Sequence, residues 1–267
     1  MAVSDRDDEL LDLAVELARA GGSLAREGRH RSGVRAGATK SSATDEVTDH
    51  DRAAECLIVE RLRAVRPDDA VIGEEGAAVT GSSGHEWFLD PIDGTTNFVY
   101  DLPSWCTSVA VARDRVMVAG AVYLPVTDEM FAARLGGGAT LDGHPIRCTD
   151  EHDLHRALVA TGFGYDPAVR RTQATRVAAI IDSIRDVRRL GSAAIDLCHV
   201  AAGRVDAYYE EHLHSWDAAA GLLIATEAGA VASDFGGDAP RPEELIVAAP
   251  GLHTALLELV ARPPHAV

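Results

Sequence analysis

The sequence is poor in basic residues. Its 267 residues include 25 Lys and Arg against 42 Asp and Glu, which gives a formal net charge of −17 at pH 7. A surface with that average sign repels nucleic-acid phosphates and anionic lipids at long range. Nucleic acids and membranes are therefore not expected partners, and a phosphorylated ligand needs a local positive centre such as a bound divalent cation.

Cysteines and long apolar runs are also scarce. The four cysteines stand far apart without a Cys-x-x-Cys pair, which argues against zinc fingers and a disulfide framework and favours a reducing cytoplasm. Residues 1–9 are acidic where a signal peptide is basic and then apolar, and no apolar run reaches membrane-spanning length. We expect a cytoplasmic, unexported protein whose hydrophobic content of 46% supports one large domain or two compact lobes.

Hydrophobic spacing predicts two helices near the start of the chain. Apolar residues between Asp8 and Glu27 recur at the i, i+4, i+7 spacing of an amphipathic helix, which Gly28 is expected to end. A polar loop over Gly33–Thr44 leads to a second helix over Asp51–Val65. Short apolar runs then predict a meandering antiparallel sheet. Its strands are predicted at 70–72, 87–89, 108–112, 116–124 and 130–133.

The second half of the chain alternates between strand and helix patterns. The chain turns polar around Cys148–Arg156, which predicts a boundary between an N-terminal α+β lobe at 1–150 and a C-terminal α/β lobe at 151–267. The strands of the second lobe are predicted at 158–161, 187–190, 205–209 and 245–248, and its helices at 168–184, 192–202, 216–228 and near the C-terminus.

A turn with two carboxylates follows the buried-strand pattern at 87–89. Ligand chemistry in α/β folds commonly lies at the carboxyl ends of strands, and Pro91 is expected to prevent further regular pairing. Asp90 and Asp93 should then share one tight turn, and the following Gly-Thr pair can present backbone N–H groups to a phosphate. A bare Asp-x-x-Asp turn is nevertheless more often an Asx-type helix cap than a metal site.

The residues around this turn favour a metal. No Lys or Arg lies between Glu86 and Val111, so the local sequence offers no cationic partner for Asp90 or Asp93. Clustered carboxylates without neutralisation repel each other and take up protons. A hard divalent cation such as magnesium prefers carboxylate oxygen, backbone carbonyl and water, so the sequence predicts a magnesium site here.

The full string Asp90-Pro91-Ile92-Asp93-Gly94-Thr95 resembles the signature of the inositol monophosphatase family. Other segments resemble further parts of that family in the same order along the chain. They are Lys40–Ser42, Asp45–Asp51, Ile72–Gly76, Gly191–Ala194, Ala207–Glu210 and Trp216–Gly221. The resemblance covers most of the chain and is closest to bacterial members. It implies a fold that combines α+β and α/β parts in a layered α-β-α-β-α sandwich, usually as a homodimer.

The resemblance also implies a magnesium-dependent phosphatase with two Mg²⁺ ions and a third, weaker site near Glu74. The ligands that it implies are Glu74, Asp90 and the Ile92 carbonyl for the first ion, and Asp90, Asp93 and Asp217 for the second. Such a pair can activate water and stabilise a leaving alkoxide. The catalytic residues that it implies are Thr95, Asp51 and Glu74, with Thr95 bonded to Asp51 and holding the attacking water.

The implied substrate is a small phosphorylated polyol, foremost myo-inositol 1-phosphate. The resemblance implies that the substrate contacts Asp93, Gly94, Thr95, Gly191, Ser192, Ala193, Glu210 and Asp217. The same chemistry on fructose 1,6-bisphosphate, histidinol phosphate or a nucleotide 3′-phosphate is one alternative. A regulatory binding protein with incidental hydrolysis is an alternative of another class.

Simpler roles stay open for several residues. Asp51 fits a helix N-cap equally well, and Asp217 precedes an apolar helix as a cap does. Glu75 is expected to support the ligands from outside or lie at the surface, and Glu211 to be solvated. The histidines at 212 and 214 lack the further ligands of a zinc site, so a surface or substrate-rim position is favoured.

Two more residues carry expectations about the edge of the site. Lys40, on the polar loop, either reaches the water network of the metal site or is simply exposed. Tyr100 stands where the family pattern has histidine, and this departure is expected to alter the site rim and substrate preference.

Overall fold

The computed structural model describes residues 3–32, 38–39 and 46–261. Its helices are α1 (Val3–Ser32), α2 (Asp49–Val65), α3 (Thr95–Val99), α4 (Pro167–Ile180), α5 (Ala193–Ala201), α6 (Ser215–Glu227) and α7 (His253–Val260). Its strands are β1 (Ala38–Thr39), β2 (Glu46–Val47), β3 (Ala70–Gly73), β4 (Ala78–Val79), β5 (His85–Asp93), β6 (Cys106–Arg113), β7 (Val116–Leu124), β8 (Glu129–Arg134), β9 (Gly138–Leu141), β10 (His144–Ile146), β11 (Leu158–Thr161), β12 (Asp186–Arg188), β13 (Ala207–Glu211), β14 (Val231–Ser233) and β15 (Glu244–Ala248). None of the helices in these ranges is long and apolar enough to cross a membrane.

The larger sheet has eight strands in the order β10-β9-β8-β7-β6-β5-β3-β4. The predicted antiparallel meander is present from β5 to β10, whereas β3 pairs parallel to β5. Helices α1 and α2 cover one face, because their apolar stripes, including Leu17 and Ile58, are buried in one cluster with Trp87 and Val109 of the sheet.

The smaller sheet has five strands in the order β12-β11-β13-β15-β14. Strand β11 is parallel to β12 and β13, whereas β15 is antiparallel to β13 and β14. On its outer face, Ile180 of α4 and Leu256 of α7 join a buried cluster with Val159 and Ile246.

Helices α5 and α6 lie between the two sheets and complete the five layers. Leu197 and Ile224 from these helices share one buried cluster with Val122 and Phe131 of the larger sheet and Leu245 of the smaller one. The polar boundary predicted at residue 150 thus separates segments that pack against a common apolar interior, and the division into two lobes stays a prediction.

Three local predictions were wrong in detail. Gly28 does not end α1, which runs on to Ser32. A Cβ on Gly28 would come within 2.6 Å of the Nδ1 atom of His50, so this glycine permits close approach of α1 to α2 rather than a cap. Pro91 does not end β5, whose pairing with β6 instead shifts register between Asp90 and Asp93. The helix predicted at 168–184 ends at Ile180, where a tight turn begins.

Candidate active site

The turn at the end of β5 projects its residues into a pocket of about 520 Å³. The register shift lets Asp90 and Asp93 both face this pocket, although they are three residues apart on the same strand. Gly94 follows with φ +95°, and a Cβ there would lie 2.9 Å from the Ser104 carbonyl oxygen. Glycine is therefore required at this position both for its backbone conformation and for the close approach.

The fold brings four carboxylates from three elements to this pocket. Glu74 follows β3, Asp90 and Asp93 end β5, and Asp217 lies in the first turn of α6. Ile92 lines the same space. All five residues predicted as metal ligands are thus assembled around one cavity.

The electrostatics of this group indicate a deficit of positive charge. Burial, followed by the charges of Glu74, Asp93 and Asp217, raises the pKa of Asp90 well above its usual range. Burial likewise raises the pKa of Asp93 to about 6, against hydrogen bonds that favour its charged form. The pKa of Asp217 is also raised by burial and by Asp93. Carboxylates that hinder each other's ionisation are stabilised by a cation.

The donor set fits a hard divalent cation. In the described part of the chain, no three Asp, Glu, His or Cys side chains already converge into a compact cation-binding group. Because like charges repel, full convergence of these carboxylates requires the charge of the ion itself. The fit therefore rests on donor chemistry: carboxylate oxygens and a backbone carbonyl around one pocket, as magnesium prefers.

Helix α5 fixes the orientation of Asp93. Ser192 caps this helix and donates from Oγ to Asp93 Oδ2 at 2.6 Å, and the Ala194 amide donates to the same oxygen at 2.7 Å. Both bonds join residues about a hundred positions apart. Ser192 and its neighbours Gly191 and Ala193, which were predicted to contact substrate, all line the pocket.

Asp51 and Asp217 each accept a capping hydrogen bond and also meet the candidate site. Asp51 belongs to the capping box of α2, but the N-cap is Thr48, whose amide donates to Asp51 Oδ2 at 2.8 Å. Its other oxygen accepts from Thr95 Oγ1 at 3.4 Å, which is the predicted Thr95–Asp51 contact. Asp217 accepts from the His214 amide at 2.7 Å and also faces the pocket.

Glu210 lines the same pocket, as expected from the resemblance. Tyr208 Oη donates to Glu210 Oε2 at 2.7 Å, and burial raises the pKa of Glu210 to about 7. A Cβ on Gly162 would collide with the Glu210 carboxylate, so the missing side chain at 162 makes room for it. Sequence reasoning assigned no role to Gly162, because Glu210, the residue that it contacts, is distant along the chain.

Two further residues near the site were missed. Asn97 Nδ2 donates to the carbonyls of Ser104 at 2.5 Å and Leu190 at 2.7 Å, and so ties α3 to the segment before α5. Asp196 of α5 lines the pocket and is 1% exposed. The only local signal for Asn97 was its position just after the six-residue signature, and Asp196 had none.

The edge of the site differs from expectation at two residues, Glu211 and Tyr100. Glu211, predicted to be solvated, pairs with Arg176 at 2.9 Å and is largely covered. His212 and His214 line the pocket, and His214 stacks on Trp216 with ring centroids 4.8 Å apart, in agreement with a rim position. Tyr100 is 71% exposed and does not line the pocket. The segments Lys40–Ser42 and 43–45 lie outside the described residues.

A sequence model of the inositol monophosphatase family matches residues 6–264. An inositol-1-monophosphatase SuhB from Mycobacterium tuberculosis H37Rv is 43% identical over 251 residues, 90% of this chain and 85% of the relative. A Nus factor SuhB from Haemophilus influenzae is 38% identical over 245 residues, 90% of this chain and 91% of the relative. The crystal structure of extragenic suppressor protein suhB from Bartonella henselae superimposes with a TM-score of 0.90 at 31% identity, covering 95% of this chain and 99% of that one.

The fold and the site thus define a phosphatase of the layered α-β-α-β-α class. The chain belongs to the inositol monophosphatase family. The expected family and fold are both confirmed.

Proposed function

We propose that this protein is a magnesium-dependent phosphatase that hydrolyses myo-inositol 1-phosphate to myo-inositol and phosphate. The observation that carries the proposal is the position of Glu74, Asp90, Asp93 and Asp217 around one pocket that Glu210 also lines. Burial and the neighbouring carboxylates raise the pKa values of Asp90, Asp93 and Asp217, which supports a site that needs cationic charge. Acidic metal ligands with few basic residues suit phosphoryl transfer, which depends mainly on positioning and charge neutralisation.

The proposed ligands divide between two Mg²⁺ ions. Glu74, Asp90 and the Ile92 carbonyl would hold one, and Asp90, Asp93 and Asp217 the other; a third, weaker ion would lie near Glu74. When bound, such ions polarise the phosphoryl group, lower the pKa of a water and stabilise the leaving alkoxide.

The protein residues supply position and proton transfer. Thr95 Oγ1 lies 3.4 Å from Asp51 Oδ1 and 3.1 Å from the Ile92 carbonyl oxygen, so one hydroxyl contacts both a proton acceptor and a proposed ligand. We assign Thr95 and Asp51 to orienting the attacking water and accepting its proton, together with the ligand Glu74. The Gly94 and Thr95 amides would bind the phosphate, while Asp93, Ala193 and Glu210 would contact hydroxyls of the polyol.

The direct test is phosphate release from myo-inositol 1-phosphate by the purified protein. We expect release with Mg²⁺, its loss with a chelator and its recovery when Mg²⁺ is restored. The matched control is Asp90→Asn, which removes the proposed bridging ligand at nearly constant volume. Release by the wild-type protein that does not exceed that of this variant overturns the proposal.

The same chemistry could serve another substrate. Side-by-side kinetics with fructose 1,6-bisphosphate, histidinol phosphate and a nucleotide 3′-phosphate decide among them, and a higher kcat/KM on any of these would replace inositol phosphate as the substrate.

The chain is proposed to act as a cytoplasmic homodimer. The free thiols of Cys56, Cys106, Cys148 and Cys198 are consistent with a reducing compartment, and light scattering measures the oligomeric state.

The name of the Haemophilus influenzae relative, Nus factor SuhB, favours one second candidate: a regulatory binding protein in which hydrolysis is incidental. Growth complementation separates the two functions. If an Asp93→Asn gene restores growth of a strain that lacks this gene, the binding role is the essential one. Failure of that gene, when it is expressed at the wild-type level, supports the phosphatase.

A further inference from the structure

The side chain of Asp196 is buried against the pocket without a full set of hydrogen bonds. The residue is 1% exposed and lines the cavity, and within the described chain its Oδ1 atom has no hydrogen-bond partner. Its amide donates to the Ser192 carbonyl oxygen as part of α5, so the helix backbone does not satisfy the carboxyl group. Buried carboxylate oxygens are almost always bonded, and a lone one is costly.

Glu210 is the charged neighbour of Asp196. After burial, the charge of Glu210 is the largest influence that raises the pKa of Asp196. Glu210 itself receives one hydrogen bond, from Tyr208 Oη, and occupies the space left by Gly162. We call Asp196 and Glu210 together the acidic floor of the pocket.

Among the described residues, no donor reaches Asp196 Oδ1, and the acidic floor has little compensating charge. Arg189, exposed at the rim, is the basic group whose charge lowers the pKa values of both carboxyls, and the residue lines the same pocket. Hydroxyl groups of a ligand would supply the missing donors without adding charge. A second phosphate at the same place would instead bring like charges together in a poorly solvated space.

We propose that Asp196 is a second substrate-contacting carboxyl beside Glu210, and that the acidic floor selects phosphate monoesters of uncharged polyols over bisphosphates. The proposal rests on the phosphatase function proposed for this pocket and names its substrate class. Asp196 acts on the alcohol part of the substrate, whereas the metal-site carboxylates act on the phosphate.

The experiment compares wild type with Asp196→Asn and Asp196→Ala on three substrates: myo-inositol 1-phosphate, p-nitrophenyl phosphate and fructose 1,6-bisphosphate. We expect Asp196→Ala to lower kcat/KM for the inositol phosphate about 10- to 100-fold, mainly through KM, because a buried hydrogen bond to the substrate is lost. The value for p-nitrophenyl phosphate, which has no hydroxyls to offer, should stay within about twofold. Asp196→Asn keeps one acceptor and should recover part of the loss.

The charge effect has its own readout. Both variants should reduce the preference for inositol phosphate over the bisphosphate by about tenfold or more, because each removes an acidic group whose ionised form repels a second phosphate. Glu258→Gln, at an exposed position of α7, is the matched control for loss of one negative charge and should leave all three rates unchanged.

Failure of this inference differs from failure of the proposed function. A wild-type protein that releases phosphate from none of the three substrates overturns the phosphatase. Equal losses on inositol phosphate and p-nitrophenyl phosphate, or no loss on either, overturn the role of Asp196 alone. If histidinol phosphate is the better wild-type substrate and Asp196→Asn abolishes that advantage, the floor binds an ammonium group and the polyol class is wrong.

Discussion

At the scale of single residues, Asp93 connects the proposed metal site with α5. Asp93→Asn should leave the fold intact, because the amide oxygen can still accept from Ser192 and Ala194. The NH₂ group then faces the pocket and cannot bind a cation. We expect kcat to fall at least a hundredfold, about 2.7 kcal/mol of barrier. Steady-state kinetics with circular dichroism as the folding control check this, and a variant that keeps its turnover removes Asp93 from the mechanism.

Gly162 offers a second test at this scale, on the substrate side. Gly162→Ala places a methyl group against the Glu210 carboxylate, which must then move. We expect KM for inositol phosphate to rise about tenfold, while p-nitrophenyl phosphate is hydrolysed at nearly the wild-type rate. An unchanged KM would show that Glu210 can shift without consequence, and would argue against its contact with the polyol.

Single residues also show where sequence reasoning succeeded. The common position of the five proposed ligands around one pocket could be predicted because each of them lies in a distinctive local string, above all the segment from Asp90 to Thr95. Asn97 and Asp196 could not, because their roles depend on neighbours that meet only in the folded chain. Asn97, for example, bonds to Leu190, which is 93 positions away.

At the scale of elements, Glu55 of α2 supports the turn that carries Glu74. Its Oε2 accepts from the Glu75 amide and its Oε1 from the Ala77 amide, each at 2.9 Å. Glu55→Gln puts an NH₂ donor opposite one of these amides. We expect the free energy of unfolding to fall by about 1–3 kcal/mol and the Mg²⁺ concentration for half-maximal activity to rise.

The matched control is Glu60→Gln on the exposed side of the same helix, which should change stability by less than about 0.5 kcal/mol. Urea unfolding and magnesium titration give the two readouts. A Glu55→Gln protein with normal stability and normal magnesium dependence would mean that the turn is held by other contacts.

Helices and strands could be predicted where apolar residues recur at a regular spacing, but the exact ends of these elements could not. Val116–Leu124 was placed correctly because its apolar run is bounded by turn residues. The predicted end of α1 at Gly28 was wrong because the sequence does not distinguish a glycine that permits close helix packing from one that ends a helix. The prediction at Pro91 was wrong because a register shift allows β5 to continue past this proline.

At the scale of the whole molecule, a charged contact joins the larger sheet to the interior layer. Arg204 pairs with Glu129 of β8, and its guanidinium lies 3.2 Å from Nε2 of His199 on α5. Burial, followed by the charge of Arg204, lowers the pKa of His199 to about 4, against the charge of Glu129. A histidine whose pKa is lower in the folded protein is more readily protonated in the unfolded chain.

This arrangement predicts that the free energy of unfolding decreases as the pH falls. The contribution of neutral His199 is complete above its ordinary pKa of 6.5 and is lost as the pH falls from there toward 4, by at most about 3 kcal/mol. His199→Gln can still accept from Arg204 but cannot be protonated. Urea unfolding at pH 7.5 and pH 5 should show a smaller loss in the variant. Equal losses in both proteins would mean that His199 does not contribute to acid unfolding.

The two bonds from α5 to Asp93 also bear on how the protein is made. The proposed site needs Ser192 and Ala194 to orient one carboxylate and Asp217 to supply another, and the ribosome adds these residues about a hundred positions or more after the six-residue signature. A nascent or prematurely ended chain can therefore contain the whole six-residue signature and still be inert toward phosphate esters. On the proposed mechanism, activity requires synthesis to have passed α6, so shorter products would leave the substrate unconsumed.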